Sequence, residues 1–254
     1  MTYELLKLGI TELNVMQQDM LLAARKWERI VLLSPTGSGK TLAYLLPVLS
    51  QMDETKEHLQ TLVLVPSREL AIQTTDVARR LCPQCRVMAC YGGHAAMDEH
   101  RTMKGLHPQL IVATPGRFLD HMDKENISTE ALSTLVIDEF DKCLELGFQA
   151  QMEGIIGRLG QVKRRILLSA TDNPSIPKFA GGDGFQRISF LDQEESLPDG
   201  ITVYQVDSPE KDKLDTLLRL VCMLGTQKSL VFLGFRESVE RVGTYLRAHG
   251  VSAD

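Results

Sequence analysis

The reading of this chain turns on residues 34–41, Ser34-Pro35-Thr36-Gly37-Ser38-Gly39-Lys40-Thr41, set directly behind the apolar run Ile30, Val31, Leu32, Leu33. A buried strand that enters a glycine-rich turn and then an apolar helix (Leu42, Ala43, Leu45, Leu46, Val48, Leu49) aims successive backbone N–H groups at one point beside a positive helix end. Such a point suits phosphate. Gly37 and Gly39 permit turn dihedrals and close approach of an anion, Lys40 reaches the β and γ phosphates, and the Thr41 hydroxyl can ligate magnesium. The ligand this pattern requires is a nucleoside triphosphate with Mg2+. Ser34 departs from the general pattern, which has its first glycine there.

Upstream, Leu5 to Trp27 reads as helical, divided by Gly9. Gln17 lies on it, ahead of the phosphate-loop strand. A glutamine amide offers the donors and acceptor that an adenine edge needs, and the same residue also reads as an ordinary solvated helix position. Downstream, one theme repeats: an apolar strand, a small turn, an amphipathic helix. Thr61–Val65 is expected as a strand and Ser67–Leu81 as a helix. Val87–Tyr91 is a strand before Gly92-Gly93, and Leu110–Ala113 a strand before Thr114-Pro115-Gly116-Arg117 and a helix from Phe118. Such alternation specifies an α/β fold, a parallel sheet covered by helices on both faces, with ligands bound at the carboxyl ends of the strands.

The strand Leu135-Val136-Ile137 delivers Asp138-Glu139-Phe140-Asp141 to that edge. With a phosphate loop in the same sheet, Asp138 suits magnesium, held through water, and Glu139 suits polarising the water that attacks the γ phosphate. Acids here also fit a helix N-terminus, which favours them through its dipole. Ile166-Leu167-Leu168 then brings the Ser169 and Thr171 hydroxyls to the same edge, where they can also cap the following turn.

Composition bounds the remainder. The chain has 254 residues, 43% of them apolar, enough for about one and a half to two domains with a real core. No apolar run reaches membrane-spanning length, and Met1-Thr2-Tyr3-Glu4 lacks a basic and apolar leader, so a soluble, cytoplasmic protein is expected. Five cysteines without a spaced framework fit a reducing compartment. Cys82-Pro83-Gln84-Cys85 has the spacing of a zinc or redox pair, but no second pair follows. A net charge of −5 argues against a broad basic surface, so any nucleic-acid contact must come from a local groove.

Six separated motifs in one order resemble the DEAD-box family of ATP-dependent RNA helicases: SPTGSGKT, PSREL, Gly92-Gly93, TPGR, LVIDEFDKCLELGF and RRILLSAT, with Gln17 upstream. The resemblance implies a RecA-like domain binding ATP and Mg2+, paired in the family with a second RecA-like domain that closes on RNA and ATP. It assigns adenine recognition to Gln17 and phosphate and metal binding to the loop Ser34–Thr41, with Gly37, Gly39, Lys40 and Thr41 foremost. It makes Asp138 and Glu139 the metal and water residues. Ser169 and Thr171, hydrogen-bonded towards Asp141, become the link between ATP state and strand separation. RNA contacts would come from Pro66, Ser67 and Arg68, from Gly92 and Gly93, and from Thr114, Gly116 and Arg117; each follows a strand near a helix N-terminus, where sugar-phosphate can be held without reading bases. Three departures stand out. Phe140 replaces the family's alanine, Ser67 its threonine, and Leu13-Asn14-Val15-Met16-Gln17 keeps only the glutamine of its adenine motif.

Residues 192–200, polar and containing Pro198 and Gly200, read as a linker between a domain at 1–191 and a second α/β unit at 201–254. In that unit Ile201–Val206 and Leu230–Leu233 are expected as strands, Lys211–Leu224 and Glu237–Ala248 as helices. These are too few for a covered parallel sheet, and the family's later motifs, with the arginines that reach the γ phosphate, have no counterpart. The expectation is therefore an ATP-binding helicase portion with poor turnover alone. A non-catalytic ATP- and RNA-binding module and a DNA-directed superfamily 2 helicase are the alternatives.

Overall fold

Seven short, mostly apolar strands build one sheet in a computed structural model that describes residues 5–6, 8–94, 96–172, 176–191, 202–209 and 211–253. They are β1 (Arg29–Leu33), β2 (Thr61–Leu64), β3 (Val87–Cys90), β4 (Leu110–Ala113), β5 (Thr134–Ile137), β6 (Arg164–Ser169) and β7 (Gln186–Ser189). All pair in parallel, in the order β3-β4-β2-β5-β6-β1-β7. Parallel neighbours cannot be joined by tight hairpins, so each strand is followed by a crossover, and helices cover both faces.

The covering helices are α1 (Val15–Lys26), α2 (Lys40–Gln51), α3 (Arg68–Leu81), α4 (Ala96–Leu106), α5 (Pro115–Asp123), α6 (Phe140–Glu145) and α7 (Gln149–Ile156). Strand side chains alternate between two cores. Ile30, Leu32, Val63, Val112, Val136 and Ile166 face α1, α2 and α3, with Met20, Leu45 and Ala78 among their partners. Val31, Leu33, Leu62, Leu64, Ile111 and Leu167 face the other helices, packing with Met103, Phe118, Cys143 and Ile155. Each such buried aliphatic or aromatic side chain contributes roughly 1.5–3 kcal/mol. Phe140 is buried in the second core, its ring centroid 6.5 Å from that of Phe179, so the residue that replaces the family's alanine is a packing anchor behind the acids.

Helix α5 starts at Pro115, earlier than the expected Phe118, because Pro115 takes the first helical position and Thr114 the cap. Residues Leu5 and Leu6 are helical, and Gly9 has φ 74° between them and α1, as its expected role as a breaker requires. Cys82 and Cys85, both buried after α3, are joined by a disulfide, which corrects the reading of the cysteines as lacking any framework. Among the described residues no helix is long and apolar enough to cross a membrane.

The described residues group into two units, Met1–Glu194 and Glu195–Asp254. The linker expected at 192–200 lies outside them, as does Ile201. In the second unit helices α8 (Leu214–Leu224) and α9 (Arg236–Ala248) form as expected, but no strand forms among the described residues. The described part of the first expected strand, 202–206, and the second at 230–233 are corrected to irregular chain. Their alternating pattern persists, with Leu230 and Phe232 86% and 88% exposed beside Val231 and Leu233 at 40% and 37%. A strand is held by a hydrogen-bonded neighbour, and a short isolated pair gains too little to form one.

Candidate functional site

Strand order decides what meets at the carboxyl edge. β6 lies between β1 and β5, with Leu33 opposite Ser169 and Ile137 opposite Leu167. At a strand spacing near 4.8 Å, β1 and β5 stand about 10 Å apart, which leaves room for a triphosphate between the loop and the acids. Strand β7 lies beyond β1, and β2, β4 and β3 lie side by side beyond β5. Their ends carry residues 66–68, 114–117 and 92–93 in one contiguous row.

The phosphate loop leaves β1 at Ser34, whose N–H donates to the Ser169 carbonyl at 3.1 Å, and Ser34 Oγ meets Ser38 Oγ at 2.7 Å. Gly37 and Gly39 have φ 82° and 91°, the left-handed region that glycine enters at little cost. Gly39 caps α2, whose first residue is Lys40. The Lys40 ammonium donates to the Ser34 and Pro35 carbonyls, both at 2.7 Å. Burial lowers its pKa, and Asp138, Glu139 and Asp141 act in the opposite direction. The lysine and the acids, nearly a hundred positions apart in sequence, therefore share one electrostatic site.

Asp138 is buried. Its N–H donates to Leu64 O at 2.9 Å, extending the β2–β5 ladder, and its Oδ1 accepts from the Glu139 N–H at 2.9 Å. Burial first, and the Glu139 charge after it, push its carboxyl up from 3.8 to about 6 against the pull of that N–H, of Lys40 and of the nearby Tyr44 hydroxyl. Glu139 has φ 47°, a left-handed conformation that costs a non-glycine residue roughly 1–2 kcal/mol and turns the chain from β5 into α6. An oxygen-only donor set of the Asp138 carboxylate and Thr41 hydroxyl suits a hard cation such as magnesium, and a buried carboxylate poor in counter-charge gains from one.

Beside Asp138 and Thr74 lies the phenol of Tyr44, fully buried, its oxygen near both but in good hydrogen-bond geometry with neither. Burial, then the Asp138 charge, push that phenol well above its ordinary range, so it keeps its proton. Thr171 Oγ1 donates to Asp141 Oδ2 at 2.9 Å, as the resemblance implied. Ser169 does not reach Asp141. Its hydroxyl donates to the Thr171 carbonyl at 2.7 Å and accepts from the Thr171 N–H, because its position on β6 points it into the turn that presents Thr171.

Gln17 is buried rather than solvated, and its amide braces the loop. Its Oε1 accepts from the Asn14 N–H at 3.0 Å, its own N–H donates to Asn14 Oδ1 at 2.9 Å, and its Nε2 reaches the Gly39 carbonyl at 3.4 Å. This is a capping box, and Asn14 Nδ2 adds a bond to the Ser38 carbonyl at 3.1 Å. One N–H and one lone pair of the glutamine amide are left over.

In the second row, Ser67 caps α3 by accepting the Leu70 N–H at 3.2 Å. Arg68 is exposed, and its Nη1 comes within 3.7 Å of the space a side chain on Gly93 would fill. Gly92, Gly93 and Gly116 are exposed and Thr114 half-buried. Pro66 is buried at the end of β2, so its ring offers nothing to a ligand. Arg117 is also mostly buried: it donates to the Tyr91 carbonyl at 3.2 Å and the His94 carbonyl at 2.5 Å and pairs with Glu99 at 3.4 Å. Sequence reading missed Glu99. This buried carboxylate also accepts from the Tyr91 N–H at 2.9 Å and meets His94 Nε2 at 2.9 Å and His121 Nε2 at 2.8 Å. Arg117 supplies the cation of that cluster, which locks the Gly92-Gly93 loop to the start of α5. No short-range pattern marks it, because its members come from three separate segments.

Comparison with known proteins agrees with this arrangement. Residues 14–179 match the profile of the DEAD/DEAH box helicases. The chain is 31% identical over 253 residues to the DEAD-box ATP-dependent RNA helicase CshA of Bacillus cereus, covering 97% of this chain and 47% of that protein. It is 36% identical over 206 residues to the ATP-dependent RNA helicase me31b of Drosophila melanogaster, covering 80% and 45%. Among solved structures it resembles a DEAD box protein of the hyperthermophile Methanococcus jannaschii, with TM-score 0.68, 25% identity and 98% and 67% coverage. Its fold also resembles S. cerevisiae Dbp5 bound to RNA and ADP BeF3, with TM-score 0.82, 22% identity and 98% and 64% coverage. The chain spans about half the length of the curated relatives it matches.

Proposed function

The chain belongs to the DEAD/DEAH box helicase family, and on that premise we propose that it binds ATP with magnesium at the phosphate loop, holds RNA along the neighbouring strand ends, and couples ATP hydrolysis to local separation of an RNA duplex. The observation that carries this reading is the convergence of Lys40 with Asp138, Glu139 and Asp141, and the bond from Asp141 to Thr171. Lys40 exchanges the Ser34 and Pro35 carbonyls for phosphate oxygens. Thr41 and Asp138 hold the magnesium, which when bound neutralises charge on the phosphates. Glu139 orients the attacking water and accepts its proton. Gln17 keeps a donor and an acceptor for the adenine edge while bracing Gly39, which ties base recognition to loop geometry.

The RNA row consists of backbone N–H groups at two helix N-termini, the Ser67 and Thr114 hydroxyls and the exposed Arg68, with Arg117 and Glu99 holding the glycine loop in shape. Contacts of this kind grip sugar-phosphate and give weak sequence preference with steep salt dependence. Changes at the triphosphate reach this row through Thr171, Asp141 and the adjacent ends of β5 and β2. Among the described residues, the charges that act on Lys40 are those of Asp138, Glu139 and Asp141. Arginine fingers contribute on the order of a thousandfold or more in related sites, so we propose slow turnover by this chain alone. The cytoplasm is the compartment we propose for it.

The test is Glu139→Gln, read in the 254-residue chain by calorimetry and by RNA-stimulated phosphate release. ATP affinity is expected to stay within about twofold while hydrolysis falls at least a hundredfold, the scale of a lost general base. Unchanged turnover removes Glu139 from its role. Preference for single-stranded DNA over RNA in competition would favour the DNA-directed alternative, since the 2′-hydroxyl distinguishes the two.

A further inference from the structure

Tyr44 stands one helical turn beyond Lys40 on α2, so both side chains leave the same face of that helix, towards β5. It is among the largest fully buried side chains, packed in the core that α1, α2 and α3 share with the sheet. Nothing in that core needs a hydroxyl: a phenylalanine would fill the same volume. The phenol oxygen is nonetheless there, close enough to interact with the Asp138 carboxylate and with Thr74 but with a well-formed hydrogen bond to neither. A buried donor left unmade is destabilising, so the hydroxyl is a cost in this state of the molecule.

Asp138 has a matching deficiency. Its Oδ1 is tethered by the Glu139 N–H at 2.9 Å, a bond from the very next residue that turns with the carboxyl group and does not by itself fix the plane in which the second oxygen lies. Magnesium demands near-ideal octahedral geometry, so the orientation of a carboxylate that holds it directly or through water matters more than its presence. Polar groups behind metal-binding carboxylates supply that orientation.

We propose that Tyr44 is a positioning residue for the metal-binding acid: when ATP and magnesium enter the loop, its hydroxyl donates to the Asp138 carboxylate and fixes the oxygen that faces the cation. The inference rests on the assignment of Asp138 to magnesium given above. It makes the unmade hydrogen bond a property of the nucleotide-free state, closed by the ligand, and it places the third side of the metal site on the helix that carries the phosphate-binding lysine. Loop and acid are thereby adjusted together, since a shift of α2 moves Lys40 and Tyr44 as one body.

The experiment compares the wild-type chain with Tyr44→Phe and Thr74→Val, using a fluorescent ATP analogue at fixed concentration and titrating Mg2+. For Tyr44→Phe the Mg2+ concentration at half-maximal binding is expected to rise about three- to tenfold, the change one hydrogen bond to a charged group corresponds to. Binding without Mg2+ should be unchanged, and the melting temperature of the nucleotide-free variant should equal or exceed that of the wild type. Thr74→Val should leave the Mg2+ midpoint where it was. A wild-type midpoint in Tyr44→Phe, or a lowered melting temperature with that midpoint, overturns the proposal in favour of a packing role, and a shift reproduced by Thr74→Val assigns the hydroxyl to Thr74 instead. A wild-type chain whose nucleotide binding ignores Mg2+ brings down the functional reading and this inference with it, a result separable from failure of Tyr44→Phe alone.

Discussion

Gly39 shows how little freedom a single position of the phosphate loop has. Its φ of 91° is one an L side chain adopts only under strain, and a Cβ there would lie 2.6 Å from Gln17 Nε2. Gly39→Ala should therefore destabilise the fold by about 1–2 kcal/mol through the left-handed backbone alone. Displacing Gln17 should weaken ATP binding further, by roughly two- to tenfold for each hydrogen bond to the neutral adenine edge that is lost. Denaturant melts and calorimetry read the two effects, and an alanine variant with wild-type values in both would mean the loop is not held as described. Glu139 is the counterpart on the acid side, a non-glycine residue kept left-handed at φ 47° because the chain must leave β5 and begin α6 within two residues. The Asn14-x-x-Gln17 spacing is a capping-box signature legible in the sequence, whereas burial of Gln17 against the loop is not, since it depends on α1 packing beside α2.

At the scale of elements, helices α4 and α5 and the segment that follows β3 meet around one carboxylate. Burial pushes the Glu99 carboxyl up, but bonds from His121 and the Tyr91 N–H and the charges of Arg117 and His94 outweigh it, so its pKa is lowered. A carboxyl lowered on folding contributes stability that is present above its unfolded value and lost as pH falls through its folded value. Glu99→Gln is thus expected to cost about 1.5–3 kcal/mol near pH 7, the worth of hydrogen bonds to a charged group. That difference should shrink below about pH 4, where the wild-type carboxyl takes up its proton in the unfolded chain and then in the folded one. Urea melts across pH check both parts; a gap that persists unchanged at low pH would show that volume rather than charge matters there. The α3 helix was legible from its period, with Ser67 at its start, whereas α5 was expected only from Phe118 and begins at Pro115. Glu99 was not legible, because one acid among charged helix residues looks solvated until Arg117 and His121 arrive from another segment.

For the molecule as a whole, a net charge of −5 coexists with a proposed RNA surface because the groups concerned are gathered at one sheet edge rather than spread over the surface. The same edge divides by strand order: β1, β6 and β5 hold the nucleotide residues, β2, β4 and β3 the others. The two units differ in how their backbones are satisfied. Amide exchange should be slowest in β1, β2, β4, β5 and β6, each paired on both sides, and close to the unstructured rate at residues 202–206 and 230–233, which have no ladder. Strong protection at 230–233 would show that the second unit forms a sheet in solution.

What the chain settles alone is the local grammar. Apolar runs of strand length ending in glycine loops, acids or hydroxyls specify a parallel α/β sheet and name Lys40, Thr41, Asp138 and Glu139, since each pattern lies within a few consecutive residues. Tertiary structure decided the rest: that β6 slots between loop and acids, that Thr171 rather than Ser169 reaches Asp141, that Pro66 is buried and Arg117 is a clamp, and that two apolar runs near the end remain unpaired. Those outcomes depend on partners tens of residues distant, and hydrogen bonds and burial belong to pairs of residues, not to either member.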